Sequence, residues 1–311
     1  MRKQLGEAFF NKYGLTAEIE IGRGALLTER VARERKTGLY LPDLVIGGLG
    51  SSLFYTFKPG EMVVSKIEQF FMLPEVSDPK YWWNGFRFND KDHSAFAFNA
   101  YVTLPIAINT ELVKQGELKA YPDLLQPKWK GKILMNDPTI PGTANRWIGF
   151  VINILGVDYL RDLARQEPTI VRDERIHTEW LARGKFPIAT TPLTTPFTEF
   201  LKLGAPITRI EMAEGAHLTS GIACIVYMNN APHPNAAKIF LNWLLTREGQ
   251  TLWSRLVGTQ SARLDVPTEF LPPDIIRKPG VKYLDQNNED YILLEPEFTR
   301  IAKEIFGTLM R

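Results

Sequence analysis

Residues 221–250 limit what this chain can fold into more than any other stretch. Ile222, Ala223, Ile225 and Val226 form an almost unbroken apolar run. A strand with one wet face alternates polar and apolar residues, so an unbroken run fits a strand covered on both faces. Asn229, Asn230, Ala231, Pro232, His233 and Pro234 then break it. Pro234 suits the first position of a helix, where its missing N–H costs nothing. Ala237, Phe240, Leu241, Leu244 and Leu245 follow at i, i+3, i+4, i+7 and i+8, one apolar stripe. Gly249 reads as the stop, a glycine just past a helix C-terminus. Buried strand, tight turn and amphipathic helix together are the repeating unit of α/β proteins.

The same pattern recurs upstream. Residues 3–13 read as a helix with Leu5 and Phe9 on one face and Gly14 as its stop. Leu15, Ala17, Ile19 and Ile21 alternate with Thr16, Glu18 and Glu20, the period of a strand. A turn at 22–24, a helix over 25–37 and a short buried strand at 44–46 follow, with a glycine- and serine-rich loop at 47–52. This alternation of strand and helix predicts a parallel sheet. Residues 74–95 read as irregular, and Trp82 and Trp83 there could pack or could stack on a ligand. The chain is expected to cross to a second lobe over 96–109 and to return over 221–228. Between them the sequence predicts a short helix at 109–115, a strand at 133–135 and a turn-rich loop at 136–145. Helices at 146–155, 158–166 and 174–183 and a strand at 186–189 complete that lobe, and a last helix lies near 290–307. The expected lobes are 1–102 plus 221–275, and 103–220 plus 276–311.

Composition removes several functions. A length of 311 residues fits about two domains. Thirty-seven basic residues against 35 acidic leave +2, which gives no reason to expect nucleic acid or a membrane surface as partner. The one cysteine, Cys224, lies inside the apolar run and reads as a core residue with no disulfide partner. No apolar run reaches the ~18 residues of a spanning helix, and residues 1–10 lack the apolar centre of a signal peptide. His93, His177, His217 and His233 are scattered without metal spacing, and His177 and Glu179, two apart, fall on different helix faces. There is no Gly-x-Ser-x-Gly, no Walker sequence and no Gly-x-Gly-x-x-Gly after a strand. The expectation is therefore a protein that binds without catalysing, and without a cofactor or metal.

Ligands of open α/β sheets sit beyond the C-terminal ends of strands, at helix N-termini. Three segments fit that place. Around Gly142, Thr143, Ala144, Asn145 and Arg146 a glycine would let backbone approach a ligand, free N–H groups would face it, and Arg146 would add a charged fork. Simple N-capping by Thr143 or Asn145 is the plain alternative. The loop with Gly48, Ser51 and Ser52 is a weaker phosphate cradle, since short Gly–Ser loops are common turns. Thr190, Thr191, Thr194 and Thr195 place four hydroxyls after the 186–189 strand, or are merely solvated turn threonines. Arg23, between two glycines, is a further candidate, and Tyr101 or Trp147 could cover an apolar part of a ligand. This set is rich in donors and short of carboxylates, which favours a small anion (a carboxylate, phosphonate or phosphate ester) over a polyamine.

Residues 231–250, together with Asn109-Thr-Glu-Leu112, Trp129-Lys-Gly-Lys132, Asn136-Asp-Pro-Thr139 and Gly204-Ala-Pro206, resemble the iron(III)-type family of extracellular solute-binding proteins of ABC importers. The stretches occur in the family's order and cover most of the chain. The resemblance implies the periplasmic-binding-protein type II fold: two α/β lobes, two crossing strands as hinge, and a cleft that closes on a small-molecule solute. It further implies a monomer in the periplasm or outside the cell that hands its solute to the transmembrane subunits of a permease, with a leader removed. The family has one more strand before the first helix, which this sequence lacks. Ferric-binding members carry two adjacent tyrosines after the strand matching 186–189. Here residues 190–195 hold no tyrosine, and neutral threonine hydroxyls do not replace the charge of phenolates on Fe(III). A ferric-binding protein and a ligand-sensing domain of the same fold are the alternatives.

Overall fold

The computed structural model describes every residue except Arg23, Gln115, Lys282 and Arg311. The chain forms two compact units, Met1–Tyr101 with Leu218–Val281 and Asn287–Ile292, and Val102–His217 with Lys282–Gln286 and Leu293–Arg311. It opens in unit 1 with helices α1 (Arg2–Tyr13) and α2 (Gly24–Lys36) and strands β1 (Leu44–Gly47) and β2 (Ala95–Ala97). It changes unit within β3 (Tyr101–Thr103). Unit 2 then holds β4 (Ile106–Asn109), β5 (Ile133–Asn136), α3 (Thr143–Arg165), β6 (Thr169–Val171), α4 (Glu174–Ala182), β7 (Ile188–Thr190), α5 (Thr194–Lys202) and β8 (Ile207–Ile210). The return lies within β9 (His217–Thr219), followed in unit 1 by β10 (Cys224–Tyr227), α6 (Pro234–Leu245) and α7 (Arg247–Val257). The short strand β11 (Leu284–Asp285) and helix α8 (Glu295–Phe306) belong to unit 2.

In unit 1 the strand order is β1-β10-β2. β10 is buried at all four residues, as its apolar run predicts. Both neighbours run antiparallel to it, with Val226 opposite Val45 and Ile225 opposite Phe96. The parallel sheet expected here is thus corrected, and so is the return crossing: β10 is the central strand of unit 1, and the chain returns earlier, in β9. Apolar continuity reports cover on both faces and says nothing about strand direction. Residues 15–21 are not a strand. Leu15, Ala17 and Ile19 pack on the core without a ladder, while Ile21 is exposed. Leu5 and Phe9 of α1 are buried as expected, and Gly14 ends the helix in the left-handed conformation at φ 66. Phe9 sits 5.0 Å from Phe240 and 5.3 Å from Trp243, ring centre to ring centre. Trp82 is buried and its indole N–H donates to the Val76 carbonyl at 3.1 Å, so it packs. Cys224 is buried too. The Asn89 amide donates to its sulfur at 3.2 Å, and Ser220 Oγ lies 3.0 Å from it.

Three further readings change. The supposed loop at 47–52 is helical from Gly50 to Ser52 and runs on as a wider turn over Leu53–Phe57. Gly249 does not end α6. Thr246 does, and its hydroxyl also caps α7 by accepting from the Gly249 N–H at 3.1 Å. Gly249 lies inside α7, where a Cβ would come 2.2 Å from the Trp243 carbonyl oxygen and 2.7 Å from that of Leu244. The two helices meet so closely that no side chain fits. The last boundary also moves, because residues 276–311 are shared. Arg277 donates to the carbonyls of Ala100 (2.8 Å) and Ser261 (2.9 Å), which holds its segment in unit 1. Ser220 donates to Asn287 and Lys91 pairs with Asp290, which hold 287–292 there as well.

Unit 2 has the strand order β6-β5-β7-β4-β8. β5 is parallel to β6 and β7, and β4 is antiparallel to β7 and β8. The expected strand and helix alternation appears here. The helices read at 146–155 and 158–166 are the two halves of α3, separated by Gly156 at φ 80. Residues 110–113 form turns instead of the expected helix, fixed by Asn109, whose amide donates to the Leu181 carbonyl and whose oxygen accepts from the Glu111 N–H.

A Gly249→Ala variant should lose about 3 kcal/mol of stability, the upper end for overpacking. The urea midpoint should fall with the slope unchanged.

Candidate functional site

β5 and β7 are adjacent and parallel, with Met135 opposite Thr190. Their C-terminal ends therefore lie side by side. Each is followed by a short loop and a helix start, α3 at Thr143 and α5 at Thr194. The first N–H groups of a helix have no partner inside it and are met by a side-chain cap, by water or by a ligand. α4 and α7 have side-chain caps, Asp173 accepting from the Ile176 N–H at 2.8 Å and Thr246 from that of Gly249. α3 and α5 have none. The residue before α3 is Gly142, at φ 147 and ψ −163, a conformation open to glycine. Asn145 does not turn back to cap. Its amide donates inward to the Pro138 carbonyl (3.0 Å) and to Thr299 (3.1 Å). Ala144 is buried, Thr143 and Thr194 are half-buried, and Thr195 is exposed.

At the head of β7, Thr190 and Thr191 are 0% and 1% exposed, and neither side-chain oxygen has a hydrogen-bond partner. Thr191 also has φ 51. A β-branched residue in this region is strained by roughly 1–3 kcal/mol. Two bonds hold it there: its N–H donates to the Pro105 carbonyl at 2.5 Å, and its carbonyl accepts from the Asn136 amide at 2.6 Å. The nearby carboxylate, Asp137, is already engaged. One oxygen accepts from the Thr139 N–H (2.8 Å) and hydroxyl (2.6 Å), the other from Arg172 Nε (2.8 Å).

Arg146 is not a free fork. Its Nε donates to Glu295 Oε1 at 2.9 Å, and Glu295 is only 2% exposed, so the pair is close to neutral within unit 2. Two histidines are buried in the same unit. Burial holds the pKa of His217 down to about 3, helped by the nearby charge of Arg146. Burial alone brings His177 down to about 4, against the opposing pull of the Thr190 and Leu134 backbone. Trp147 is wholly buried, its indole donating to the Tyr121 hydroxyl at 3.2 Å.

The remaining sequence candidates belong to unit 1. Gly48 faces chain rather than space, since a Cβ there would lie 3.2 Å from the Gly221 oxygen. Ser52 Oγ accepts from the Thr28 hydroxyl at 2.9 Å, and Ser51, beside it, is half-buried in the same helical turn. Tyr101 is buried with Leu271 and Ile275. Arg23 lies outside the described residues. Sequence reading missed Asn136, although a polar residue ending the apolar run 133–135 is a visible sign. It also missed Arg209, whose guanidinium stands 4.1 Å over the Phe197 ring in the first turn of α5. Its sign was a charge at an inward position, alternating with buried Ile207 and exposed Thr208.

Solved periplasmic binding proteins share this fold over nearly the whole chain. AfuA from Actinobacillus pleuropneumoniae, with exogenous fructose-6-phosphate bound, is 19% identical with a TM-score of 0.69, covering 99% of this chain and 94% of its own. The Trichodesmium protein IdiA (FutA), in complex with iron and citrate, is 18% identical at 0.70, covering 97% and 95%. Iron-bound HitA from Pseudomonas aeruginosa is 16% identical at 0.70, covering 97% and 94%. The fold is thus that of the periplasmic binding proteins. The bacterial extracellular solute-binding protein family matches residues 93–255, and the chain belongs to that family. An uncharacterized protein of Haemophilus influenzae is 28% identical over 182 residues, 54% of this chain and 52% of its own, so the chain spans about half the length of that curated relative. No helix among the described residues is long and apolar enough to cross a membrane.

Removing one member of the Arg146–Glu295 pair leaves a buried charge alone. Arg146→Ala should therefore lose about 3 kcal/mol, and an Arg146→Met, Glu295→Leu double variant should lie much nearer the parent in chemical denaturation. His217 and His177 have folded pKa values below the unfolded 6.5. Their contribution is full above pH 6.5 and is lost as pH falls from there toward 4, because the unfolded chain takes up protons first. Stability of His217→Gln relative to the parent should then rise by about 1.4 kcal/mol per pH unit between pH 6 and 4.

Proposed function

We propose that this protein captures a small organic oxyanion (a carboxylate, phosphonate or phosphate ester) and delivers it to the transmembrane subunits of an ABC importer, without catalysis. The observation that carries this reading is the head of the β5–β7 pair. The two adjacent parallel strands each lead into a helix without a side-chain cap, and two buried hydroxyls at the end of β7 lack partners. Helix starts with free N–H groups attract anions through hydrogen bonds and through the helix dipole. The carboxylates of Asp137, in the loop after β5, and Glu295, paired with the first turn of α3, are engaged by Arg172 and Arg146, so they offer little to a cation. In this reading Thr143, Ala144, Thr190, Thr191, Thr194 and Thr195 supply the donors, and a monomer works outside the cytoplasm. AfuA, of like fold, holds fructose-6-phosphate and so supports a phosphate ester.

The iron-bound neighbours favour a ferric reading instead. Against it stands the chemistry of residues 190–195, where hydroxyls replace the hard anionic oxygens that Fe(III) selects.

A thermal-shift screen over fructose 6-phosphate, inorganic phosphate, methylphosphonate, citrate, spermidine and ferric citrate tests the proposal. An oxyanion at about 100 times its Kd should add roughly 2.7 kcal/mol of apparent stability. Thr143→Pro, which suits a first helical position and removes both the N–H and the hydroxyl, should weaken that anion about tenfold more than Thr143→Ala, which removes the hydroxyl alone, the scale of a hydrogen bond to a charged group. Stabilisation by spermidine alone, or a tyrosinate charge-transfer band with ferric citrate, would overturn the reading.

A further inference from the structure

We infer that Thr191 is the residue that sets this site for its ligand, its strained backbone and buried hydroxyl being held in place for an acceptor oxygen of the solute, with Asn136 as the positioning residue. The inference rests on the oxyanion reading above and gives one residue a distinct role within it.

Two separate penalties fall on Thr191. The first is conformational. The other non-glycine residues described in the left-handed region, with φ of 50 to 58, are Glu61, Lys66, Asn84, His93, Glu167 and Asn230. None is β-branched, and all are exposed or half-buried. Thr191 alone among them is β-branched and buried. The second is solvation. Its hydroxyl is buried and has no partner, and the hydroxyl of Thr190 beside it is in the same state. A buried hydroxyl destabilises unless it is hydrogen-bonded. Glycine at 191 would remove both penalties at once, since it takes positive φ freely and has no hydroxyl.

Nothing about the residue is slack. The Pro105 carbonyl takes its N–H and the Asn136 amide grips its carbonyl, from the adjoining strand ends of β4 and β5. Asn136 thereby fixes the turn between β7 and α5, and so fixes the direction of the first N–H groups of α5. Strain held by surrounding bonds is a way of pre-orienting a group before the ligand arrives. An oxyanion would accept from the two hydroxyls, giving each the partner it lacks, and the folding penalty would be offset only in the bound state.

The test compares ligand-free melting with affinity, because the two should move in opposite directions. Calorimetry would follow inorganic phosphate, fructose 6-phosphate and citrate with the parent, Thr191→Gly, Thr191→Val, Thr191→Ser and Asn136→Ala. Thr191→Gly should melt about 2 °C or more above the parent without ligand, and should bind the recognised probe about tenfold more weakly. Thr191→Val keeps the branch and loses only the hydroxyl, so it should lose the same affinity. Thr191→Ser should restore binding to within about threefold of the parent. Asn136→Ala should weaken binding in the parent and add nothing in the Thr191→Gly background, the coupling of a residue that acts through another. A purely structural Thr191 would instead give a glycine variant that melts lower, or valine and glycine variants that bind as the parent does. Either result overturns the inference while the parent's binding leaves the oxyanion reading standing. A parent that binds none of the three probes sinks that reading and this inference together.

Discussion

β5 and β7 run parallel in adjacent positions, with Met135 facing Thr190. Parallel neighbours cannot be joined by a tight turn and need a crossover, here built from helices. Both strands must therefore release the chain at the same edge of the sheet, and both release it into a helix. The ladder fixes where the strands end, and both α3 and α5 begin on the edge of the sheet where those ends lie. Had β7 been antiparallel to β5, one of the two helix starts would have gone to the opposite edge. The polar character of the site is thus a product of strand direction more than of any charged side chain.

The charged groups of unit 2 bear this out. Arg146 with Glu295 and Asp137 with Arg172 are matched internally. Such pairs hold loops and helices in place: Glu295 ties the start of α8 to the first turn of α3, and Asp137 shapes the turn after β5 through Thr139. Besides these pairs, the ends of β5 and β7 carry the neutral hydroxyls of Thr190 and Thr191, with Arg209 over Phe197 in the first turn of α5. Neutral donors in a pre-set array discriminate by geometry.

Much of this was legible in the sequence. Strong periodicity located α1, α6, β5 and β10, because burial of one face imposes a pattern that local residues must carry. Pro234 and Gly14 marked helix ends through their own backbone preferences. Strand direction was not legible, since the apolar run of β10 is the same whether its neighbours are parallel or antiparallel. Residues 15–21 have the alternation of a strand, but pairing needs a neighbour, and the alternation served packing alone. Gly249 looked like a stop because glycine has two uses, left-handed turns and close approach, and only coordinates tell them apart. Arg146 looked free because its partner Glu295 lies 149 positions away in the chain. In the site, the hydroxyls of 190–195 could be listed from the sequence. The uncapped helix starts, the grip of Asn136 and the strain at Thr191 are properties of tertiary placement.

The lone thiol described in unit 1 has a consequence for how this chain can be studied. Cys224 is the first residue of the central strand, fully covered, with Asn89 and Ser220 against its sulfur. A thiol reagent reaches it only when β10 leaves its sheet. Labelling is therefore a clock for the opening of unit 1 and is blind to unit 2. In a chain of two compact bodies a single melting temperature mixes two events. Here one sulfur atom, already in place, separates them.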